Sequence, residues 1–192
     1  MGNDGKARLF IALTADGPGT FLRPVHELLA KFPRAVKPVS PVNYHITLKF
    51  LGETAEDTFH ALRQEYRELR PGIPAQPFTL RGLGAFPGMR RPQVFWCGLD
   101  CDRDAIERIR VMTEDLAVRH GFRREERKFV PHLTLARVRR NAVLPRELSD
   151  YFAAHRDTVF GDSRFDRIVL FKSDLEREGP VYTALEEIIL TP

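Results

Sequence analysis

Hydrophobic and polar positions follow two different periods along this chain, and the two periods indicate strands and helices. Seven segments have the short apolar runs or alternating patterns that are typical of strands. They cover residues 8–13, 44–51, 78–83, 94–99, 129–138, 165–172 and 181–189. Four other segments carry apolar side chains at helical spacing. They cover residues 22–32, 54–70, 103–120 and 145–154. We expect Thr54 to cap the second of these helices and Gly121 to end the third.

The order of these elements has a rough internal symmetry, because each half of the chain contains a strand of unusual composition between two helices. No long linker separates the two halves. We therefore expect one α+β domain, residues 1–192, made of two pseudo-symmetric lobes. Each lobe should supply an antiparallel sheet, the two sheets should face a central cleft, and the helices should lie on the outside.

The composition is that of a globular protein, with 43% hydrophobic and 29% charged residues among 192. No apolar run is long enough to cross a bilayer, and the amino terminus lacks a secretion signal, so we expect a cytoplasmic monomer. The net charge of +4 is modest, but the basic residues cluster around the strand at 129–138. These residues are Arg123, Arg124, Arg127, Lys128, Arg137, Arg139 and Arg140.

The two strands of unusual composition carry the same tetrapeptide pattern, HITL at 45–48 and HLTL at 132–135. We call these the first and second motifs. On a strand, the histidine and threonine of each motif project from one face and the two aliphatic residues from the other. One such motif is weak evidence, but two in matched halves offer two imidazoles and two hydroxyls to one cleft. That set is sufficient for acid/base chemistry on a phosphate ester without a metal.

Other common catalytic patterns are absent from the sequence. No group of His, Cys, Asp and Glu has metal-ligand spacing, and no phosphate-binding loop of the Gly-x4-Gly-Lys-Ser/Thr type occurs. Cys97 and Cys101 have no second pair with which to bind zinc, and we expect both to be small, partly buried residues. We therefore expect neither a metal nor an organic cofactor.

The paired motifs resemble those of the 2H phosphoesterase superfamily. More closely, RLFIAL, HITLKFLGE, VFWCGL, KFVPHLTLAR and FKSDLEREGPVYTAL resemble segments of the RNA 2′,3′-cyclic phosphodiesterases, also called 2′-5′ RNA ligases. The resemblance extends from residue 8 to residue 185. It implies metal-independent hydrolysis of an RNA-terminal 2′,3′-cyclic phosphate to a 2′-phosphomonoester. Its substrates would be RNA with such ends or small cyclic nucleotides.

The resemblance also assigns roles that the residues alone do not distinguish. It makes His45 the general acid and His132 the general base. Thr47 and Thr134 would donate hydrogen bonds to the phosphate oxygens, where charge grows in the transition state. The resemblance further suggests Arg137 as a phosphate ligand. Strict alternation from His132 places Arg137 on the opposite face, so either the strand bulges there or Arg137 has a structural role.

The roles of five further residues stay open at this stage. Lys49 lies on the histidine face by alternation, where it would help to hold the substrate or simply be solvated. Phe10, Phe50 and Tyr182 could stack on a base, but core packing is the favoured interpretation for each. The sequence does not indicate a role for Ser173.

Two other functions are compatible with the sequence. One is a sister activity, cleavage of 2′-5′-linked oligonucleotides or of a small cyclic phosphate. The other is a non-catalytic module that binds RNA ends, although binding alone does not require two titratable groups. Any ligation would be independent of ATP and would reverse transesterification, with an RNA 5′-hydroxyl as the nucleophile.

Overall fold

A computed structural model of the chain describes residues 6–69, 72–175 and 180–191. Residues 176–179 of the FKSDLEREGPVYTAL segment lie outside this part of the chain. The described residues form the following strands: β1 Lys6–Thr14, β2 Val36–Pro38, β3 Ile46–Ala55, β4 Gln76–Phe86, β5 Val94–Cys101, β6 His132–Val138, β7 Val159–Phe165, β8 Arg167–Leu175 and β9 Pro180–Ile189. They also form the helices α1 Pro18–Phe21, α2 Arg23–Ala30, α3 Glu56–Glu68, α4 Arg103–Arg119 and α5 Arg146–Ala154, with a 3-10 turn at Pro41–Asn43.

The strands form two antiparallel sheets, as predicted. The first sheet has the order β3-β1-β8-β9, and the second has the order β2-β6-β5-β4-β7. The lobes exchange strands, because β8 and β9 from the end of the chain complete the first sheet while β2 joins the second. This exchange ties the two halves of the chain together around one cleft.

Helices cover the outer face of each sheet and close the hydrophobic core. α3 and α4 pack on the first sheet, whereas α2 packs on β2 and α5 on β4 of the second. The buried side chains of both sheets and of these helices belong to one continuous cluster. In β1, for example, Leu9, Ile11 and Leu13 are almost completely buried on the helix-covered face. The predicted α+β architecture is therefore confirmed.

Two strands were not predicted, and the start of one helix was predicted at the wrong residue. β2 has only three residues and ends in proline, and β7 is a largely polar strand at the sheet edge. Neither has the alternation that identifies a half-buried strand. Thr54 belongs to β3 rather than to a helix cap, and its hydroxyl donates a hydrogen bond to the Gly52 carbonyl at 3.2 Å. Gly121 follows His120, the C-cap of α4, with a φ of +83°, as its predicted role requires.

Candidate active site

The two motifs lie on strands that touch each other across the lobes. The first motif consists of His45, just before β3, and the first three residues of β3, an edge strand of the first sheet, whereas the second motif opens β6 in the second sheet. In both motifs the aliphatic side chains are buried, whereas the histidine and threonine are only partly buried. The predicted alternation within the motifs is confirmed, and both histidine–threonine faces project into the cleft.

A β-bulge follows at the same position in each motif. The register between β1 and β3 skips Leu48, and the register between β5 and β6 skips Leu135. Each of these residues is the fourth of its motif. An extra residue in one strand reverses the alternation of side chains beyond it. The second residue after each threonine-leucine pair, Phe50 or Arg137, therefore lies on the opposite face from the one that strict alternation predicts.

The bulge in β6 turns Arg137 toward the cleft. The first of the two alternatives for this residue, a bulged strand, is thus confirmed. Arg137 is exposed, and its charge lowers the pKa of both His45 and His132. The corresponding position in the first lobe is Phe50, which is 64% exposed. The core packing expected for Phe50 is therefore wrong, because the bulge places its ring on the cleft face.

The bulge in β3 has the opposite effect on Lys49. Its side chain turns away from the histidine face toward α4 and is only 5% exposed. The ammonium Nζ lies 2.9 Å from a carboxylate oxygen of the fully buried Glu114 and donates to the Arg123 carbonyl at 2.5 Å. The prediction that Lys49 lies on the histidine face is wrong. Instead, Lys49 connects the first motif strand to α4 and to the basic loop that begins after it.

Both motif histidines are held by the same local hydrogen bond. The Nδ1 of His45 donates to the Asn43 carbonyl, and the Nδ1 of His132 donates to the Val130 carbonyl, each at 2.7 Å. A carbonyl only accepts, so Nδ1 carries the hydrogen in both rings and Nε2 is the titrating atom. The Nε2 of His45 lies 3.2 Å from the Thr47 hydroxyl. The two lobes thus present matching imidazole nitrogens to the cleft.

The surroundings of both imidazoles favour their neutral forms, because the pKa of each ring is lowered. Burial, against the effect of the Asn43 carbonyl and with smaller contributions from His132 and Arg137, lowers the pKa of His45 to about 4. Burial also lowers the pKa of His132, with Arg137 acting in the same direction. A general acid must carry a proton to donate, so the lowered pKa of His45 requires the substrate to favour its cationic form. A bound phosphate anion would favour the cationic form of either ring.

Aromatic side chains surround His45 in the first lobe. The ring of Phe10 lies 5.0 Å from the imidazole, and that of Tyr182 lies 5.4 Å away in an edge-on arrangement. Phe171 stacks on Phe10 at 5.1 Å and completes this wall. Phe10 is only 3% exposed, as the predicted packing in the core requires. Tyr182 is partly buried and stands opposite the buried Ser173 in the ladder between β8 and β9.

A second aromatic wall stands beside His132, and the sequence analysis missed it. The ring of Phe86 lies 4.9 Å from the imidazole in an edge-on arrangement and 5.3 Å from the indole of Trp96. Trp96 is directly opposite Thr134 in the ladder, so both project from the same face. A Cβ added at Gly84 would lie 2.3 Å from the Trp96 ring. The missing side chain at Gly84 therefore makes room for the indole.

Arg8 is a further cation that the sequence analysis missed. Arg8 lies two residues before Phe10 in β1, so period-2 alternation places it on the same face. Burial raises the pKa of the Tyr182 phenol, while the charges of Arg137 and Arg8 lower it. Both lobes therefore bring a guanidinium close to the same phenol. Period-2 counting from Phe10 would have found Arg8.

In residues 6–69, 72–175 and 180–191, no group of three or more His, Cys, Asp or Glu side chains is arranged to hold a metal ion. Over the same ranges, no helix has the length and apolar character that a membrane span requires. Cys97 and Cys101 are free thiols; Cys101 is partly buried, as expected, whereas Cys97 is completely buried.

Comparisons with known proteins point in one direction. A family model described as LigT-like phosphoesterase matches residues 17–96 and 99–182. An RNA 2′,3′-cyclic phosphodiesterase of Aeropyrum pernix is 35% identical over 153 residues, which cover 80% of this chain and 85% of that protein. One from Methanothermobacter thermautotrophicus is 31% identical over 185 residues, covering 94% and 97%. The crystal structure of Escherichia coli LigT complexed with 3′-AMP aligns with a TM-score of 0.72 and 27% identity, covering 97% of this chain and 99% of that one.

Proposed function

This chain belongs to the LigT-like phosphoesterase family, and from that premise we propose that it hydrolyses RNA-terminal 2′,3′-cyclic phosphates to 2′-phosphomonoesters. The observation that carries the proposal is the repeated geometry of the two motifs. Each supplies one imidazole with its Nε2 available and one hydroxyl on the same face. The family and the names of the relatives support the cyclic phosphodiesterase class.

The two imidazoles divide the proton transfers between them. His132 Nε2 removes a proton from water as the water attacks phosphorus, and His45 Nε2 protonates the departing 3′ oxygen. The P–O bond to the water oxygen forms as the P–O3′ bond breaks, which leaves the phosphate on the 2′ oxygen. Both rings are fixed by carbonyl bonds at Nδ1, so little reorientation is needed during the reaction.

The remaining groups of the cleft stabilise the phosphate. Thr47 and Thr134 donate hydroxyl hydrogen bonds to its non-bridging oxygens, and the Arg137 guanidinium offsets the negative charge that grows there. When the anionic phosphate binds, it raises the pKa of His45 and so charges the general acid. In this account the protein's own side chains supply every proton and every stabilising charge, and the reaction is independent of metal ions.

Phe50 is the best candidate in the first lobe to contact the base. Its ring is 64% exposed on the cleft face, and its centroid lies 6.2 Å from that of Phe10. A base stacked on an aromatic side chain contributes about 1–3 kcal/mol of binding free energy. Phe50→Ala should weaken RNA binding by an amount in this range, whereas Val42→Ala, at a residue that is 90% exposed, serves as the control. Equal affinities of the two variants would remove Phe50 from the site.

The same cleft chemistry would serve a 2′-5′ oligonucleotide or a small cyclic phosphate, and an RNA 5′-hydroxyl in place of water would give ATP-independent ligation. A module that binds RNA ends without catalysis is the other alternative. A panel of these substrates, followed by phosphorus NMR in the presence of EDTA, distinguishes them. We expect rapid formation of a 2′-phosphate from the RNA cyclic phosphate. Binding without turnover across the panel would refute the proposal.

A further inference from the structure

Lys37 occupies a position on the cleft face that neither the motifs nor the mechanism uses. It lies in the middle of β2, directly opposite Arg137 of β6. Directly opposite residues of an antiparallel pair project from the same face, with Cβ atoms about 4.5–5.5 Å apart. Because Arg137 faces the cleft, Lys37 does so too. The neighbouring Val36 is fully buried on the other face of the strand, which agrees with this orientation.

The juxtaposition of two cations is unfavourable unless an anion joins them. Like charges directly opposite each other destabilise a sheet. Within the described part of the chain, no carboxylate forms an ion pair with Lys37 or Arg137, although the partly buried Arg63, Arg110 and Arg167 all have carboxylate partners. The Lys37–Arg137 pair is therefore open to a negative charge from outside the protein.

We propose that Lys37 binds the phosphodiester group that precedes the terminal nucleotide of an RNA chain. This inference rests on the proposed function, because it takes the terminal cyclic phosphate to lie between the two motifs. That phosphate carries one negative charge, which Arg137 offsets. β2 is an edge strand that lies roughly 4.8 Å from β6, the strand of the second motif, and the flexible four-carbon lysine stem extends this reach. A second cation at this distance matches a second phosphate.

The loop between β4 and β5 continues the positive charge at the same end of the sheet. Val94, the first residue of β5, is opposite Arg137 on the side away from β2. The exposed Arg90 and Arg91 lie in the loop just before it. An RNA chain leaving the motifs across this end of the second sheet would therefore stay near cations. The substrate class that fits is an oligonucleotide end rather than a free cyclic mononucleotide.

The test compares kcat/KM for a dinucleotide ending in a 2′,3′-cyclic phosphate with kcat/KM for the corresponding cyclic mononucleotide. Wild type should prefer the dinucleotide. Lys37→Gln should reduce the ratio of kcat/KM for the dinucleotide to kcat/KM for the mononucleotide about fivefold. This is the effect of one partly screened charge-assisted contact. Lys37→Arg should restore most of the ratio because it keeps the charge. Lys31→Gln removes an exposed lysine next to α2, outside the cleft, and is the matched control.

A salt titration supplies a second readout. Lys37→Gln should lose one phosphate contact to a single strand. For the dinucleotide, the slope of log kcat/KM against the logarithm of salt concentration should therefore become less steep by roughly 0.7. An unchanged preference ratio in Lys37→Gln, or an equal loss on both substrates, would overturn the inference. The second result would assign Lys37 to the reacting phosphate instead. Absence of wild-type turnover on every cyclic phosphate would contradict the proposed function itself, so the two failures are distinguishable.

Discussion

Acid should destabilise this protein more than it destabilises a variant in which asparagine replaces His45. Burial lowers the pKa of His45 from 6.5 to about 4. The unfolded chain therefore binds a proton at this residue more readily than the folded protein does. Linkage then requires the free energy of unfolding to fall as the pH drops from about 6.5 to about 4, and to level off below that. Above pH 6.5 this residue contributes no pH dependence.

The size of the effect follows from the two pKa values. One pKa unit corresponds to about 1.36 kcal/mol, so the full difference amounts to about 3.4 kcal/mol below pH 4. Between pH 7.5 and pH 5, where the unfolded chain is protonated at this position and the folded protein is not, the loss is about 2 kcal/mol. His132 contributes in the same direction, because its pKa is lowered too. Comparing wild type with His45→Asn isolates the part that belongs to His45.

Urea unfolding at pH 7.5 and pH 5.0, followed by circular dichroism, measures this difference. Asparagine keeps an N–H donor where imidazole has Nδ1, so the bond to the Asn43 carbonyl can persist. Wild type should lose about 2 kcal/mol more than His45→Asn over this pH interval. His60→Asn, which removes an exposed histidine of α3, is the matched control for loss of a histidine. Equal losses in wild type and His45→Asn would refute the burial of a neutral His45.

Three further outcomes are expected. Lys49→Met should lower the free energy of unfolding by about 3–5 kcal/mol, because it leaves the Glu114 carboxylate buried without its partner. The double variant Lys49→Met with Glu114→Leu should recover much of the lost stability in urea unfolding. If the losses of the two single variants simply added in the double variant, the two side chains would not be a buried, coupled pair. Gly84→Ala should shift the fluorescence of Trp96 and reduce kcat/KM at least about tenfold. Gly88→Ala, with no atom near its added Cβ, should change neither. Identical fluorescence spectra of wild type and Gly84→Ala would show that the indole is not confined by Gly84. The pH profile of kcat should lose activity at a higher alkaline pH than the profile of kcat/KM, because the bound anion raises the pKa of the general acid. Alkaline limbs at the same pH in both profiles would refute this coupling.

The periodic pattern was sufficient for most of the fold. Seven strands with clear apolar patterning and the longer helices were found within a few residues of their ends. The short β2 and the polar edge strand β7 were not, because tertiary pairing rather than local pattern makes them strands. Thr54 was misplaced for a similar reason. Its hydroxyl satisfies a carbonyl within the strand instead of capping a helix.

At the site, the sequence did not predict the β-bulges in β3 and β6, and these decide which side chains face the cleft. Within each motif the period of two holds, so the facing of His45 and His132 followed from the sequence alone. Beyond Leu48 and Leu135 the phase changes, and nothing in the sequence marks an extra residue in a ladder. Lys49 was consequently assigned to the wrong face. Phe86 and Trp96 lie on strands from another part of the chain, and only the sheet order brings their rings beside the second motif.

The most direct test of the account is the conversion of an RNA dinucleotide 2′,3′-cyclic phosphate, followed by phosphorus NMR in EDTA, by wild type, His45→Ala and His132→Ala. The proposed mechanism predicts a 2′-phosphomonoester from wild type. It also predicts rates lower by about 10²–10⁴-fold in each variant, provided that circular dichroism confirms an intact fold. A 3′-phosphate product, or near-wild-type turnover by either variant, would contradict acid–base catalysis by the paired histidines.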